Sequence, residues 1–174
     1  MEQSPPKGSP LRDDHSGDVP AIQALTAIPS ILEVVCRVTG MGFAGVARVT
    51  DERWIACAVR DEIDFGLEPG SELDVRTTIC DQIRGHHQAI MIENVAEDPI
   101  YRTHDTPRLY GFQSYISVPI LRSGGEFFGT LFAMDLVPAK LANSSAATAL
   151  GLFAELIALL LDAARTAGAT PPSQ

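Results

Sequence analysis

Gly111-Phe112-Gln113-Ser114-Tyr115-Ile116-Ser117-Val118-Pro119-Ile120 and Phe127-Phe128-Gly129-Thr130-Leu131-Phe132-Ala133-Met134-Asp135 are two strand-like runs joined through Ser123-Gly124-Gly125-Glu126. Glycine reaches the positive φ values that tight connections between antiparallel strands demand, so the Gly124-Gly125 pair predicts a hairpin. The first run carries a late Val118-Pro119-Ile120, and the second carries Gly129 followed by small and apolar residues.

Upstream, a helical period begins at Val19, with Ile22, Leu25, Ile28, Ile31, Leu32, Val35 and Val38 recurring at three- and four-residue steps. Pro29 is expected to break or kink this helix, with Ser30 capping the second segment and Gly40 ending it. The period then changes to that of strands: residues 43–50, a tight Asp51-Glu52 turn, and residues 54–60. Strict alternation puts Trp54, Ala56 and Ala58 on one face and Ile55, Cys57 and Val59 on the other, so both faces are apolar and both need a cover. Residues 61–76 are acidic, contain Pro69-Gly70 and read as a loop, leading to a short helix over 78–84 capped by Thr77 or Thr78. Residues 88–95 read as a strand. Residues 96–110, with Pro99 and Pro107, form a connection of a length that is uncommon unless functional. Downstream of the hairpin a helix is expected over 144–167, with Asn143 as N-cap and Gly168 past its end.

The order helix, strand, strand, short helix, strand, long connection, strand, strand, helix gives an α+β fold with a mainly antiparallel central sheet. Together with the 111–135 hairpin, and with Glu97-Asp98-Pro99-Ile100-Tyr101-Arg102 opening the long connection, it resembles a GAF domain over nearly the whole chain. The resemblance implies five to six strands, with the terminal helices packed on one face. It also implies that the short helix and long connection roof a small-molecule pocket on the other. Carried onto this sequence, that pocket takes Trp54, Cys80, Asp81, Arg84, Tyr101, His104, Arg108, Tyr110, Phe112 and Ser114 as ligand-binding candidates. Tyr110, an aromatic directly before the Gly111 turn, is the best placed of them. The domain is expected over 19–168, between disordered tails at 1–18 and 169–174; the first of these is rich in Pro, Gly, Ser and Asp.

Composition narrows the function. Hydrophobic residues make up 45% and charged residues 20%, an ordinary globular mix, and a formal net charge of −9 argues against a phosphate backbone as the main partner. No charged segment followed by an apolar one opens the chain, and the apolar stretch 146–161 is shorter than the roughly 20 residues of a bilayer crossing, so a cytoplasmic protein with no membrane partner is expected. In the last helix Glu155 and Asp162 are the only charges between 144 and 164, leaving an apolar band too broad for one contact face. A homodimer through the N- and C-terminal helices is the expected solution. The resemblance places such a dimer in bacterial signalling of the two-component kind, with a histidine kinase or other output, the chain being either free-standing or part of a larger protein.

Catalysis has no positive evidence: there is no Gly-rich phosphate loop, nucleophile elbow or paired-carboxylate constellation. Cys36, Cys57 and Cys80 are far apart and read as reduced, buried thiols, and adjacent His86-His87 lack zinc-ligand spacing. The GAF resemblance brings further ligand alternatives. Bilin-binding members anchor the chromophore through a cysteine followed by histidine, where this chain has Arg102-Thr103, so a bilin here would bind noncovalently or through Cys80 or Cys57. Haem is carried by some members, with His104 or His87 the available ligands. Free methionine-R-sulfoxide reductase shares the fold and uses a reactive cysteine near the position of Cys80, at a helix start, but no cysteine pair matches its resolving thiols. The scattered signature of cyclic-nucleotide-binding members is not traceable.

Overall fold

The structure, a computed structural model, describes residues 15–141 and 145–168; most of the two expected tails and the Asn143 cap lie outside these residues. Among the described residues six strands form a single sheet: β1 (Phe43–Val49), β2 (Trp54–Asp61), β3 (Glu72–Leu73), β4 (Ile90–Ile92), β5 (Ser114–Leu121) and β6 (Phe127–Asp135). Their order is β3-β2-β1-β6-β5-β4 and every pairing is antiparallel. The Gly124-Gly125 hairpin is present, both glycines lying at positive φ (83° and 84°), and its second strand pairs with β1 as well as β5.

Three helices cover one face: α1 (Asp18–Gln23), α2 (Ile28–Thr39) and α5 (Ala146–Gly168). Two short ones, α3 (Cys80–His86) and α4 (Asp105–Tyr110), lie over the other. Pro29 does not break a helix: it sits in the first turn of α2, where its missing N–H has no intrahelical acceptor to lose. Ser30 therefore falls inside α2 and caps nothing. Gly40, at φ 70°, ends α2 with its N–H on the Cys36 carbonyl. Neither Thr77 nor Thr78 caps α3; their hydroxyls donate instead to the carbonyls of Asp74 and Val75, one turn earlier.

The strict alternation expected for β2 fails at one place. Ala47 pairs with Ala56 but Val46 pairs with Ala58, so Cys57 is an extra residue, a β-bulge. Trp54 and Ala56 point to the α3 side, Cys57 and Ala58 both to the α2 side, and Val59 returns to the first. The acidic loop expected over 61–76 contains β3, a two-residue edge strand on Trp54 and Ile55, and the strand expected over 88–95 is regular only at its centre.

Helix α5 buries Ala146, Leu150, Ala154, Ile157, Ala158 and Leu161 in the core it shares with α2, β5 and β6. By length and hydropathy alone this helix could span a bilayer, being longer than the apolar stretch the sequence suggests, yet one face is committed to the sheet. Its C-terminal end is latched to the hairpin turn. Asp162 accepts from Arg122 Nε (2.9 Å), Ser123 N (3.1 Å) and Ser123 Oγ (2.6 Å), and these bonds hold its carboxyl down at about 2.

Candidate functional site

Short side-chain-to-backbone bonds fix the roof over the second sheet face. Asp74 caps the turn Val75–Thr77, accepting from Arg76 N, and the buried Ile79 and Ile83 seat α3 on the sheet. In the connection that follows, Asn94 accepts from Ala96 N, Asp98 from Ile100 N and Tyr101 N, and His104 Nδ1 from Thr106 N at the start of α4. Gly111, at φ 80°, ends α4. Thr106 Oγ1 donates to the Thr77 carbonyl (2.7 Å), the Tyr110 and Thr77 hydroxyls bond, and Tyr101 Oη donates to Gln82 Oε1 (3.0 Å). The two covering segments are therefore joined to each other. The connection expected to be irregular is a series of capped turns ending in a helix.

Between this roof and the sheet lies a cavity walled by Trp54, Phe65, Leu67, Leu73, Thr78, Ile79, Cys80, Tyr110, Phe112, Tyr115, Phe132 and Met134. Its interior volume is about 40 Å³, set in about 390 Å³ of atom-free space that includes its mouth. An interior of that size holds a few waters or a small organic group. Aromatic rings dominate the floor: Phe132 lies 5.9 Å from both Trp54 and Phe43, and Tyr115 5.3 Å from Phe112, centroid to centroid. Among the described residues no charged side chain is part of the walls.

The polar wall atoms are nearly all committed within the chain. Cys80 Sγ lies 3.3 Å from Tyr115 Oη and 3.1 Å from Thr130 Oγ1. Burial, and then the neighbouring Cys80, pushes the Tyr115 phenol well above its ordinary range, so it stays protonated. The exception is Trp54, 2% exposed, whose indole Nε1–H finds no acceptor among the described residues.

Of the residues proposed from sequence, Trp54, Cys80, Tyr110 and Phe112 come together at the cavity wall. Tyr101 and His104 are not among the walls; their rings lie 5.4 Å apart and both side chains bond to Gln82. Asp81 and Arg84 pair with each other at 2.9 Å on the half-exposed side of α3, and Arg108 is exposed; none of the three lines the cavity. Ser114 lies on the opposite side of the sheet from Tyr115 and donates to the Val137 carbonyl (2.8 Å). Three wall residues, Phe65, Leu67 and Leu73, come from the stretch read as a plain acidic loop. Ile63, Phe65 and Leu67 alternate with polar or glycine residues there, a period-two signal that reveals a half-buried extended segment. Asp61 organises that stretch. Burial opposes its ionisation, but N–H groups of Gly66, Phe65 and Ile63 donate to the carboxylate at 2.9, 3.0 and 3.1 Å and hold its pKa below the ordinary range.

The thiols separate by face. Cys36 and Cys57 are buried on the α2 side, where burial pushes them up to about 11 and about 12, while Cys80 alone of the three lines the cavity. His87 stacks on Phe127 (5.4 Å) and His104 uses Nδ1 as a cap, so neither candidate haem ligand is at the cavity wall. Among the described residues no group of three or more His, Cys, Asp or Glu side chains is arranged to hold a metal ion.

No curated protein sequence matches the chain. Solved structures share its fold. The chromophore-binding domain of a bacteriophytochrome from R. palustris superposes with a TM-score of 0.68 at 12% identity, over 86% of this chain and 59% of that one, so the chain spans only about three-fifths of that relative. The blue-light-absorbing form of the Thermosynechococcus elongatus PixJ GAF domain gives 0.66 at 12% identity, over 91% of this chain and 94% of that one. A type II free methionine-R-sulfoxide reductase from Thermoplasma acidophilum gives 0.60 at 17% identity, over 82% and 95%. The family model of the GAF domain matches residues 23–161, most of the chain and every element that walls the cavity; the chain belongs to the GAF domain family.

Proposed function

We propose that this GAF domain is a sensory module that binds a small molecule between sheet and roof and passes the change through a helical homodimer interface. The observation that carries the reading is the cavity itself. Its walls come from β2, β5 and β6 below and from the 65–73 segment, α3 and Tyr110–Phe112 above, so a guest ties roof to floor. The same β5 that offers Tyr115 to the cavity packs Ile116 and Val118 against the helical layer that holds α5. A change in the position of that strand is felt on both sides. Ligand contacts made better in one dimer arrangement than in another then bias the equilibrium between them.

The size of the cavity selects among guests. A tetrapyrrole exceeds even the interior and its mouth together, about 390 Å³ of atom-free space, so the roof as it stands favours a smaller guest than haem or bilin. The sensed molecule is small.

Thermal unfolding over a panel of small metabolites tests this. A ligand at 100 times its dissociation constant adds about 2.7 kcal/mol to the stability of the form that binds it. In Leu73→Trp, where a half-buried wall residue is enlarged, the same compound is expected to leave the transition unmoved. Equal stabilisation of the plugged variant would sink the reading.

A further inference from the structure

We infer that the molecule taken by this cavity is uncharged, largely apolar and no larger than a single ring, with one hydrogen-bond acceptor presented to Trp54 and its body occupying the mouth as well as the interior, about 390 Å³ together. The inference rests on reading the cavity as a ligand site and adds the chemistry of the ligand. Two observations carry it.

The first is that, among the described residues, the walls carry no charged side chain. A carboxylate, phosphate or ammonium group brought under the roof loses its hydration and meets no counter-charge, a penalty that buried ions escape only when paired. Nucleotides, sugar phosphates and zwitterionic amino acids are disfavoured on that ground. The acidic surroundings add to this for anions. The neighbouring loop carries Asp61, Asp64 and Glu68, and the chain as a whole has a formal net charge of −9.

The second is the state of the polar wall atoms. Thr78 Oγ1 donates to the Val75 carbonyl, the Tyr110 hydroxyl is bonded to Thr77, and Cys80, Tyr115 and Thr130 satisfy one another. Trp54 is different: its indole is a donor only, it is buried, and among the described residues no acceptor reaches it. A carbonyl, ether or ring-nitrogen acceptor on the guest completes it. The surrounding rings of Phe112, Tyr115 and Phe132 favour a flat, apolar body for the rest of the molecule. Satisfying one buried donor is worth a factor of roughly ten in affinity over an isostere that leaves it unmet.

The chain contains a single tryptophan, so ¹⁵N-labelled protein gives one indole N–H resonance and that resonance reports on Trp54 alone. Three probes of similar outline separate the outcomes: acetophenone with an acceptor, ethylbenzene without one, and benzoate with a charge. Acetophenone is expected to move the indole resonance downfield and to bind about tenfold more tightly than ethylbenzene, with benzoate not binding over the same range. In Trp54→Phe the preference for acetophenone over ethylbenzene falls to about onefold while ethylbenzene still binds. Ethylbenzene or benzoate equalling acetophenone in the unmodified protein would overturn the inferred chemistry but leave the cavity as a ligand site. An indole resonance unmoved by all three probes up to their solubility would overturn the ligand-site reading as well.

Discussion

Gly129 and Trp54 show how far single positions are dictated by their surroundings. Gly129 is opposite Arg48 on β1 and Ile120 on β5, and a Cβ placed on it would lie 1.8 Å from the Ala47 carbonyl oxygen. No side-chain rotation relieves a clash with backbone, so the two strands would have to part. Gly129→Ala is expected to cost about 3 kcal/mol or more, visible as a lower denaturant midpoint with an unchanged slope. A midpoint within experimental error of the parent protein would show that β1 and β6 can separate cheaply. The glycine was visible in the sequence as part of the hairpin, whereas its reason, a close backbone approach from a third strand, was not. The four cavity residues foreseen from sequence are of the same kind. Trp54, Cys80, Tyr110 and Phe112 were legible through the resemblance to GAF domains, which implies a pocket between sheet and roof, but Ser114 was assigned to the cavity when the pleat gives that face to Tyr115. In a strand apolar on both faces, pattern does not set the phase, and an error of one residue exchanges the faces.

At the scale of elements, helices and long strands followed from periodicity, and the misses have physical causes. The Cys57 bulge reverses the alternation in mid-strand, and β3 is two residues long with no hydrophobic pattern of its own. The covering segment 94–110 is built from Asn, Asp and His side chains bonding to nearby N–H groups, a structure that composition marks only as a loop. The latch between α5 and the hairpin turn was likewise out of reach, because Asp162 and Ser123 are distant in sequence. That latch has a pH signature. Bonds from Ser123 and Arg122 lower the folded-state pKa of Asp162 to about 2, against about 3.9 for an unfolded aspartate. Its stabilisation is therefore complete above about pH 3.9 and is lost as pH falls through about 2. Asp162→Asn is expected to be less stable than the parent at neutral pH, with the gap closing as unfolding is measured toward pH 2. A gap independent of pH over that range would mean that the carboxylate charge contributes nothing to the latch.

For the whole molecule the unresolved apolar surface lies on the helical layer. α5 commits one face to the sheet and leaves Leu152 and Leu159 each 64% exposed, with Leu156 between them at 39%. Their four- and three-residue spacing makes one stripe along the helix. Val34 and Val38, one turn apart on the neighbouring α2, are also exposed. Burying a leucine fully is worth roughly 1.5–3 kcal/mol, and a second copy of this chain laid along the stripe is the cover we propose for it. Leu159→Glu tests this without touching the core, since the replaced side chain already faces solvent. Light scattering is expected to show the parent as a dimer and the variant at half that mass, with circular dichroism unchanged. Linkage then supplies a second readout. If the cavity and the helical interface are coupled, a ligand that binds the dimer more tightly must strengthen dimerisation by the same factor, because binding free energies around the cycle are reciprocal. Sedimentation with and without a cavity ligand measures that factor, and the monomeric variant should bind the ligand less tightly by an equal amount. A parent protein that stays monomeric at tens of micromolar would remove the interface. Equal ligand affinity in a genuine dimer and its monomeric variant would leave the interface in place while denying it any part in transmitting what the cavity senses.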